Sequence, residues 1–288
     1  MQRRVLGSVV VVAVGLLPAI AGGPIFALLM LGIGIVALRE FLTLGRESVR
    51  PFEPWSLYGA LALAAGGALF SQPIMLFLAV LLGVFIPLAM SIRFTYRLGT
   101  AETWSWGATG ACYLGLPVFA AISLRQTTSG EISSTWQSLA DRLALGWTPA
   151  AIGMAWVLAV VLSTWGGDVA AYLAGRIFGR HKLAPIVSPG KTREGALGGL
   201  LTAMLVSAAV FGVSGVLPAW GGGLVGAVIG ACGQLGDLSE SFLKRQANVK
   251  DSGNLIPGHG GMLDRVDALL FAFPAALLMR WITEGGIG

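Results

Sequence analysis

Charged residues are scarce in this chain of 288 residues: they make up 11% of it, whereas 55% is hydrophobic. A soluble domain carries about 25% charged residues, so too few polar side chains remain here to cover a water-facing surface. The apolar stretches are long and do not alternate with polar residues, which argues against a transmembrane β-barrel. The sequence therefore predicts an all-α polytopic integral membrane protein, whose backbone hydrogen bonds are made inside each helix.

Cysteine and histidine are also rare, with two of each. Cys112 and Cys232 lie inside apolar segments and have no zinc-site spacing, which argues against both a disulfide framework and a zinc centre. The net charge of +5 would suggest nucleic acid as the partner of a soluble protein. Here, basic residues that flank membrane segments and contact lipid headgroups explain it, so we expect membrane lipid and no nucleic acid as a partner.

Nine apolar segments are each close to the ~20 residues that cross the hydrocarbon core of a bilayer. They lie at about 5–22, 25–43, 56–72, 74–92, 105–124, 148–166, 196–214, 221–238 and 266–283. The first has the shape of a cleavable signal peptide, but the next apolar run starts at Ile25 after a tight turn, which favours a retained helix. We expect about five transmembrane helices in an N-terminal region, 1–147, and a C-terminal transmembrane region with two charge-rich loops at 148–288.

The distribution of lysine and arginine predicts the orientation in the membrane. If the N-terminus is cytoplasmic and the spans alternate, only Arg125, Arg142 and Arg280 fall on the far side, and every other Lys and Arg faces the cytoplasm. This partition predicts a multi-pass protein of the inner (cytoplasmic) membrane. It also places the polar stretches 167–195 and 239–265 on the cytoplasmic side, where nucleotides are found.

The stretch 239–265 and its flanks combine acidic and basic residues. Asp264 and Asp267 are three residues apart, so on a helix they share a face, and the same holds for Asp237 and Glu240. Clustered carboxylates repel one another unless a cation lies among them, and hard oxygen ligands suit Mg²⁺. Ionisable residues at the head of an apolar helix are costly and usually functional.

The same stretch offers groups that bind phosphate. Its basic residues can neutralise phosphate oxygens, and the glycines around His259 let backbone N–H groups approach an anion. The basic residues are Lys244, Arg245, Lys250 and Arg265, and the glycine-rich turn is Gly258-His259-Gly260-Gly261. Together with the acids they are the parts of a phosphoryl or nucleotidyl transfer site. Alternatively, the charges are solvated or tie helix ends together, and His259 is an ordinary turn residue.

The stretch 167–195 repeats this chemistry. Gly190-Lys191-Thr192 suggests a P-loop, but Pro185 stands where that motif needs glycine, and no strand is expected before it. A basic turn remains, with Ser188, Lys191 and Thr192 available to a phosphate and Asp168 upstream. The alternative is a plain helix start after a basic cluster that sets the topology.

These residues resemble the signature of the CDP-diacylglycerol synthases, also called phosphatidate cytidylyltransferases. The matching residues are Ser241-Phe242-Leu243-Lys244-Arg245, Lys250-Asp251-Ser252-Gly253, His259-Gly260-Gly261 and Asp264-Arg265-Val266-Asp267. Upstream, Asp168, Ser188-Pro189-Gly190-Lys191-Thr192 and Glu194-Gly195 are also similar, and so are Arg3-Arg4 and Glu40-Phe41 near the N-terminus. The strong resemblance covers roughly 165–283.

The resemblance implies that CTP and phosphatidate give CDP-diacylglycerol and pyrophosphate, with a divalent metal, in phospholipid biosynthesis. It also implies a homodimeric all-helical fold and metal ligands at Asp237 and Asp264. We therefore predict Mg²⁺, with a second cation left open, at Asp237, Asp264 and Asp267. Lys244 and Arg265 join these as catalytic residues. The predicted substrate-binding residues are Asp168, Ser188, Lys191, Thr192, Arg245, Lys250, Asp251, His259, Gly260 and Gly261.

Three alternatives stay open at this point. Another enzyme could transfer a cytidylyl or phosphoryl group from CTP to a different lipid-like acceptor, such as an isoprenoid alcohol or its phosphate. A transporter would also need carboxylates in the membrane, but it predicts an internal pseudo-symmetry that the sequence does not show. A structural membrane subunit has no need for this loop chemistry.

Overall fold

The computed structural model describes residues 16–45, 55–93, 100–143, 151–253 and 260–284, and most of them are helical. Residues 16–21 form the end of a first helix. The helices that follow are α1 (Gly23–Leu44), α2 (Trp55–Leu69), α3 (Pro73–Val80), α4 (Ile86–Arg93), α5 (Thr100–Arg125), α6 (Ser134–Leu143), α7 (Ala151–Phe178), α8 (Arg193–Ser214), α9 (Ala219–Gln246) and α10 (Leu263–Thr283). A π-helical turn, Leu81–Phe85, joins α3 to α4, so the two form one continuous helical segment.

Six of the described helices are long and apolar enough to cross a membrane, which supports the predicted polytopic class. They are Gly23–Leu44, Pro73–Ile92, Ala101–Arg125, Ala151–Phe178, Arg193–Ser214 and Leu263–Thr283. Helix α2 is apolar but has 15 residues, and α9, with 28 residues, is rich in glycine and ends in charged residues. The predicted span 5–22 lies mostly outside the described residues. The count of nine spans, the cytoplasmic N-terminus and the division at residue 147 remain predictions.

The two polar stretches, predicted as loops, are helical in their first parts. Helix α7 continues through Asp168 to Phe178, and α9 continues through Glu240 to Gln246. Hydropathy falls where polar side chains begin, but a helix ends only where its backbone geometry is interrupted. Long helices therefore carry these charged side chains, and each has a defined direction.

A short β-hairpin, which the sequence did not predict, lies between two of the long helices of this mainly helical protein. Strands β1 (Lys182–Ala184) and β2 (Ser188–Thr192) pair antiparallel, with Lys182 opposite Thr192. Pro189 disfavours helix because it lacks an N–H group and restricts the residue before it. The hairpin ends where Thr192 caps α8: its hydroxyl accepts a hydrogen bond from the N–H of Gly195 at 3.1 Å.

Glycine lets α9 lie close to both of its neighbours. A Cβ on Gly226 would overlap the carbonyl oxygen of Ala203 in α8, and a Cβ on Gly236 would overlap that of Asp267 in α10. Small residues permit this kind of close helix packing in lipid. Since Asp237 follows Gly236, the contact brings the Asp237 backbone next to α10. Larger side chains fill the core elsewhere. The rings of Trp156 and Phe211, for example, pack edge to face with their centroids 4.7 Å apart.

The bundle has two polar ends of different character. At the acidic end, the C-terminal parts of α1, α7 and α9 meet the hairpin and the N-terminal parts of α8 and α10, and they carry Asp168, Asp237, Asp264 and Glu40. At the opposite end, which we call the arginine end, the C-terminus of α5 places Arg125 against the segment before α1.

Candidate active site

Four aspartates from three helices line one cavity of about 550 Å³ at the acidic end. Asp168 comes from α7, Asp237 from α9, and Asp264 and Asp267 from the first turns of α10. Lys191 and Thr192 of the hairpin, with Tyr172, Arg176 and Gln234, complete much of the wall. Six of the residues predicted to form the site thus lie around a single cavity.

Asp264 is held rigidly in the first turn of α10. One carboxylate oxygen, Oδ2, accepts hydrogen bonds from the N–H of Gly261 (2.7 Å), the N–H of Ser252 (2.9 Å) and the hydroxyl of Ser252 (3.0 Å). The other, Oδ1, accepts from the Lys244 ammonium at 2.6 Å. Gly260 turns the chain into this position with a φ of 80°, which favours glycine. The direction of the Asp264 carboxylate is therefore fixed before any ligand binds.

Lys244 bridges two carboxylates. Its ammonium lies 2.5 Å from Oε2 of Glu240 and 2.6 Å from Oδ1 of Asp264, and only 13% of its side chain is exposed. Glu240 is fully buried. A buried carboxylate is costly without a counter-charge, so the first role of Lys244 here is to neutralise the pair. Its predicted role as a phosphate ligand stays a prediction, since this geometry already engages its ammonium.

Asp237 pairs with Lys191, which the hairpin brings to α9. The Ser241 hydroxyl lies 3.5 Å from Oδ1 of Asp237. About 30% of each charged side chain is exposed, 28% for Lys191 and 30% for Asp237. A partly solvated ion pair contributes little to stability and can open easily. Both groups are thus available to a charged ligand in the cavity.

The hairpin is clamped to the head of α8 by Glu194. The Glu194 carboxylate accepts from the backbone N–H of Arg180 (3.1 Å) and of His181 (3.2 Å), and it lies 2.6 Å from Nδ1 of the His181 ring. The position of Lys191 over the cavity follows from this clamp and from the Thr192 cap.

Asp267 and Asp168 complete the acidic wall. Oδ1 of Asp267 accepts a hydrogen bond from the N–H of Ala268 at 2.8 Å. Asp168 faces the same cavity from α7. With four aspartates against Lys191 and Arg176 on its wall, the cavity carries an excess of negative charge, which favours a bound cation.

The donor chemistry fits magnesium, although the carboxylates do not form a closed cage. Among the residues that the structure describes, no three Asp, Glu, His or Cys side chains converge closely enough to hold one ion. Mg²⁺ typically keeps several waters and binds one or two carboxylates together with substrate phosphates. The arrangement of Asp237, Asp264 and Asp267 around one cavity suits this mode of binding. Their assignment as metal ligands stays a prediction.

Several predicted site residues lie away from this cavity. Arg245 is exposed and donates to the carbonyl of Val249 at 3.3 Å, and Lys250 and Asp251 are exposed beyond it. Ser188 begins β2 and is not on the cavity wall. Arg265 lines a second, apolar cavity of about 540 Å³ on the other side of α10. His259 lies outside the described residues. The roles predicted for these residues are untested by the geometry.

Glu40 is a residue that sequence reasoning did not assign to the site. Its carboxylate reaches from α1 to the start of α10 and accepts from the N–H groups of Met262 (3.0 Å) and Leu263 (2.8 Å). In the sequence, Glu40 stands out only as part of the family resemblance. The available signal was physical: a carboxylate in an apolar span is expensive unless a specific partner stabilises it.

The chain matches a known protein family. A family model described as the cytidylyltransferase family matches residues 2–283. The chain belongs to the cytidylyltransferase family. This confirms the family that the resemblance in the sequence indicated.

Three of the relatives are phosphatidate cytidylyltransferases. The phosphatidate cytidylyltransferase of Brucella suis is 33% identical over 279 residues, which cover 96% of this chain and 92% of that protein. Those of Staphylococcus haemolyticus (46% over 123 residues) and Pseudomonas aeruginosa (43% over 156 residues) match 42% and 52% of this chain. These shorter matches span about half of each relative, 47% and 55% of its length.

Proposed function

We propose that this protein is a phosphatidate cytidylyltransferase, which converts CTP and phosphatidate to CDP-diacylglycerol and pyrophosphate in phospholipid biosynthesis. The observation that carries the proposal is the acidic cavity, where Asp168, Asp237, Asp264 and Asp267 face a hairpin lysine. Its family and the names of its relatives support the same reaction.

In this reaction a phosphate oxygen of phosphatidate attacks the α-phosphorus of CTP. A new P–O bond forms there, and the bond to the β-phosphate oxygen breaks to release pyrophosphate. A phosphate monoester has a second pKa near 6, so at neutral pH the nucleophile is mostly dianionic and needs no general base. The protein has two tasks: to hold two anions together and to stabilise the charge that develops on pyrophosphate.

The residues divide these tasks. Asp237 and Asp264, with Asp267 beside them, would hold Mg²⁺, which neutralises phosphate charge when bound. Lys191 lies on the hairpin that Glu194 holds in place, and it forms a partly solvated ion pair with Asp237. Its ammonium can therefore leave Asp237 and bind a phosphate oxygen of CTP instead. Asp168 and Thr192 shape the wall on which the nucleotide lies.

A lipid substrate needs a route from the bilayer to the cavity, and α7 offers one. Tyr172 lines the cavity and is 65% exposed, and its neighbours Val169 and Leu173 are exposed apolar side chains. This stripe joins the acidic wall to the outer surface of the bundle. We propose that phosphatidate enters sideways along it, with its acyl chains left in lipid.

The test of the reaction uses the purified protein with CTP labelled at the α-phosphate, Mg²⁺ and phosphatidate in mixed micelles. We expect labelled CDP-diacylglycerol and an equal amount of pyrophosphate. A parallel assay supplies an isoprenoid alcohol or its phosphate as the acceptor. Product from that acceptor and none from phosphatidate would refute the assignment of the lipid and leave a cytidylyl or phosphoryl transfer enzyme of another kind.

We further propose that the acidic end faces the cytoplasm from the inner membrane, as the distribution of Lys and Arg predicts. Gln246→Cys, at the exposed end of α9, is a suitable cysteine probe for the acidic end. In intact cells of a variant without native cysteines, an impermeant thiol reagent should label Glu131→Cys near the arginine end and not Gln246→Cys. The reverse pattern would invert the topology.

A further inference from the structure

Glu40 is buried at the end of α1, with 9% of its surface exposed. Its carboxylate is not on the wall of the acidic cavity, yet it lies directly behind the turn that carries Asp264. Glu40 and Asp264 are far apart in the sequence, so their approach is a product of the tertiary fold.

Glu40 takes the place of a helix cap for α10. The first N–H groups of a helix lack partners within it, and a side chain before the helix usually accepts from them. Met262, the residue at that position, makes no capping hydrogen bond. Instead, Oε1 of Glu40 accepts from the N–H of Met262 and Oε2 from that of Leu263, at 3.0 and 2.8 Å. A carboxylate at a helix N-terminus is also favoured by the helix dipole.

Ser252 connects this cap to Asp264. Its hydroxyl lies 3.1 Å from Oε2 of Glu40 and 3.0 Å from Oδ2 of Asp264, and its N–H donates to the same Oδ2. A hydroxyl has one proton and rotates to suit its partners. Ser252 therefore stands between the two carboxylates and aligns one with the other.

The backbone closes tightly around Glu40. A Cβ on Gly253 would lie 2.6 Å from Oε1 of Glu40, and a Cβ on Gly261 would lie 2.8 Å from its Cδ atom. These distances leave no space for a side chain at either position. Gly253 and Gly261 therefore allow the backbone at both positions to contact the Glu40 carboxylate.

We propose that Glu40 is a positioning residue of the active site: it anchors the start of α10 and, through Ser252, sets the direction of the Asp264 carboxylate. Helix α1 of the N-terminal region thereby becomes part of the catalytic machinery without touching substrate. The inference rests on the proposed function for its effect on rate, and on the predicted cation site at Asp264 for its effect on cation binding.

The test compares Glu40→Gln with the wild type. Glutamine keeps the shape but places an NH₂ group where an oxygen accepted a hydrogen bond, so the turn loses one of its anchors. Groups that orient metal-binding residues typically contribute about 10–100-fold to metal affinity or activity. We expect kcat to fall about tenfold and the Mg²⁺ concentration for half-maximal rate to rise about tenfold, with a smaller change in KM for CTP.

Two milder variants keep the test informative if Glu40→Gln folds poorly. Glu40→Asp keeps the charge and should restore part of the rate. Ser252→Ala removes the connecting hydroxyl and should shift the same two quantities in the same direction. The double variant Glu40→Gln/Ser252→Ala should lose less than the product of the single losses, because both act through Asp264.

The matched control is Arg125→Met, a buried charged residue at the opposite end of the bundle. If Glu40 were only structural, Glu40→Gln would lower the melting temperature as Arg125→Met does and leave both kcat per folded molecule and the Mg²⁺ midpoint unchanged. That result would overturn the proposal.

A readout without turnover separates this proposal from the proposed function. Binding of Mn²⁺ as a probe ion, followed by electron paramagnetic resonance without substrates, should weaken about tenfold in Glu40→Gln. Weakened Mn²⁺ binding in a protein that makes no CDP-diacylglycerol would refute the proposed reaction and support the role of Glu40. Unchanged Mn²⁺ binding in Glu40→Gln, together with CDP-diacylglycerol formation by the wild type, would support the proposed reaction and refute the role of Glu40.

Discussion

The two ends of the helix bundle each bury charged groups, but they do so in different ways. At the arginine end, Arg125 is 2% exposed and donates to the backbone carbonyls of Ala19 (2.7 Å) and Ile20 (2.8 Å). Gly22, with a φ of 70°, leaves space for the guanidinium. At the acidic end, carboxylates from several helices face one another across a cavity. Buried charge alone is thus no sign of function, and the type of partner makes the difference.

The two ends differ in how their buried charges are balanced. The carbonyls of Ala19 and Ile20 satisfy Arg125 from within the fold, so that the interaction joins one segment to another and needs no ligand. The acidic cavity holds like charges that only a cation or a substrate complex can balance fully. Charged groups whose counter-charges are only partly present can bind a ligand. Charged groups whose hydrogen bonds are all made within the fold stabilise the fold.

The largest expected effect is the loss of the divalent cation. Exhaustive chelation should reduce CDP-diacylglycerol formation to background, because Lys191 and Arg176 do not offset the four aspartates of the cavity and the substrate phosphates together. Added Mg²⁺ in excess of the chelator should restore the rate, which controls for damage to the protein. A full rate after chelation would remove the metal from the account and with it the explanation for the clustered aspartates.

A smaller effect is expected at the hairpin. Lys191→Met removes a cation from the cavity and should raise KM for CTP about tenfold, since a charge-assisted hydrogen bond contributes about 1.5–3 kcal/mol. The melting temperature should change little because the ion pair with Asp237 is partly solvated. Lys182→Met, on the exposed face of the same hairpin, is the control. Equal KM values in the two variants would contradict the role of Lys191.

The smallest effect on rate is expected at the arginine end. Arg125→Met removes the guanidinium donor from the buried carbonyl of Ala19 and the partly buried carbonyl of Ile20, and should lower the free energy of unfolding by about 2 kcal/mol. Turnover per folded molecule should stay normal, since Arg125 lies at the far end of the bundle. Thermal unfolding in detergent together with the CTP assay checks both halves of this statement. A rate loss beyond the loss of folded protein would mean that the two ends are coupled.

Sequence reasoning predicted local features of this fold better than distant ones. The apolar run at 25–43 became α1 (Gly23–Leu44), and the spacing of Asp264 and Asp267 placed both on the cavity side of α10. Hydropathy did not show that α7 and α9 continue past their apolar parts, because it reports contact with lipid and not the end of a helix. The hairpin was missed since its strands are too short to give an alternating pattern.

Pairings between distant segments were beyond the reach of spacing. Lys244 was grouped with the phosphate-binding residues, but only the fold shows that it lies between Glu240 and Asp264. Glu40 meets Leu263 through the packing of α1 against α10, and no local pattern predicts such a contact. The four aspartates that line the cavity were therefore predictable from the sequence, whereas the pairing of the charged residues around them was not.

The most direct test of the acidic cavity as the catalytic centre is the turnover of Asp237→Asn over a range of Mg²⁺ concentrations. Asparagine keeps the shape and removes one negative charge from a partly exposed side chain, so the melting temperature should hold. The rate should fall about 10²-fold or more, equivalent to about 3 kcal/mol of transition-state stabilisation, and should recover in part at high Mg²⁺. Asp141→Asn, exposed on α6, is the matched control and should behave as wild type. Near-normal turnover of Asp237→Asn, with the same Mg²⁺ dependence as the control, would contradict the account.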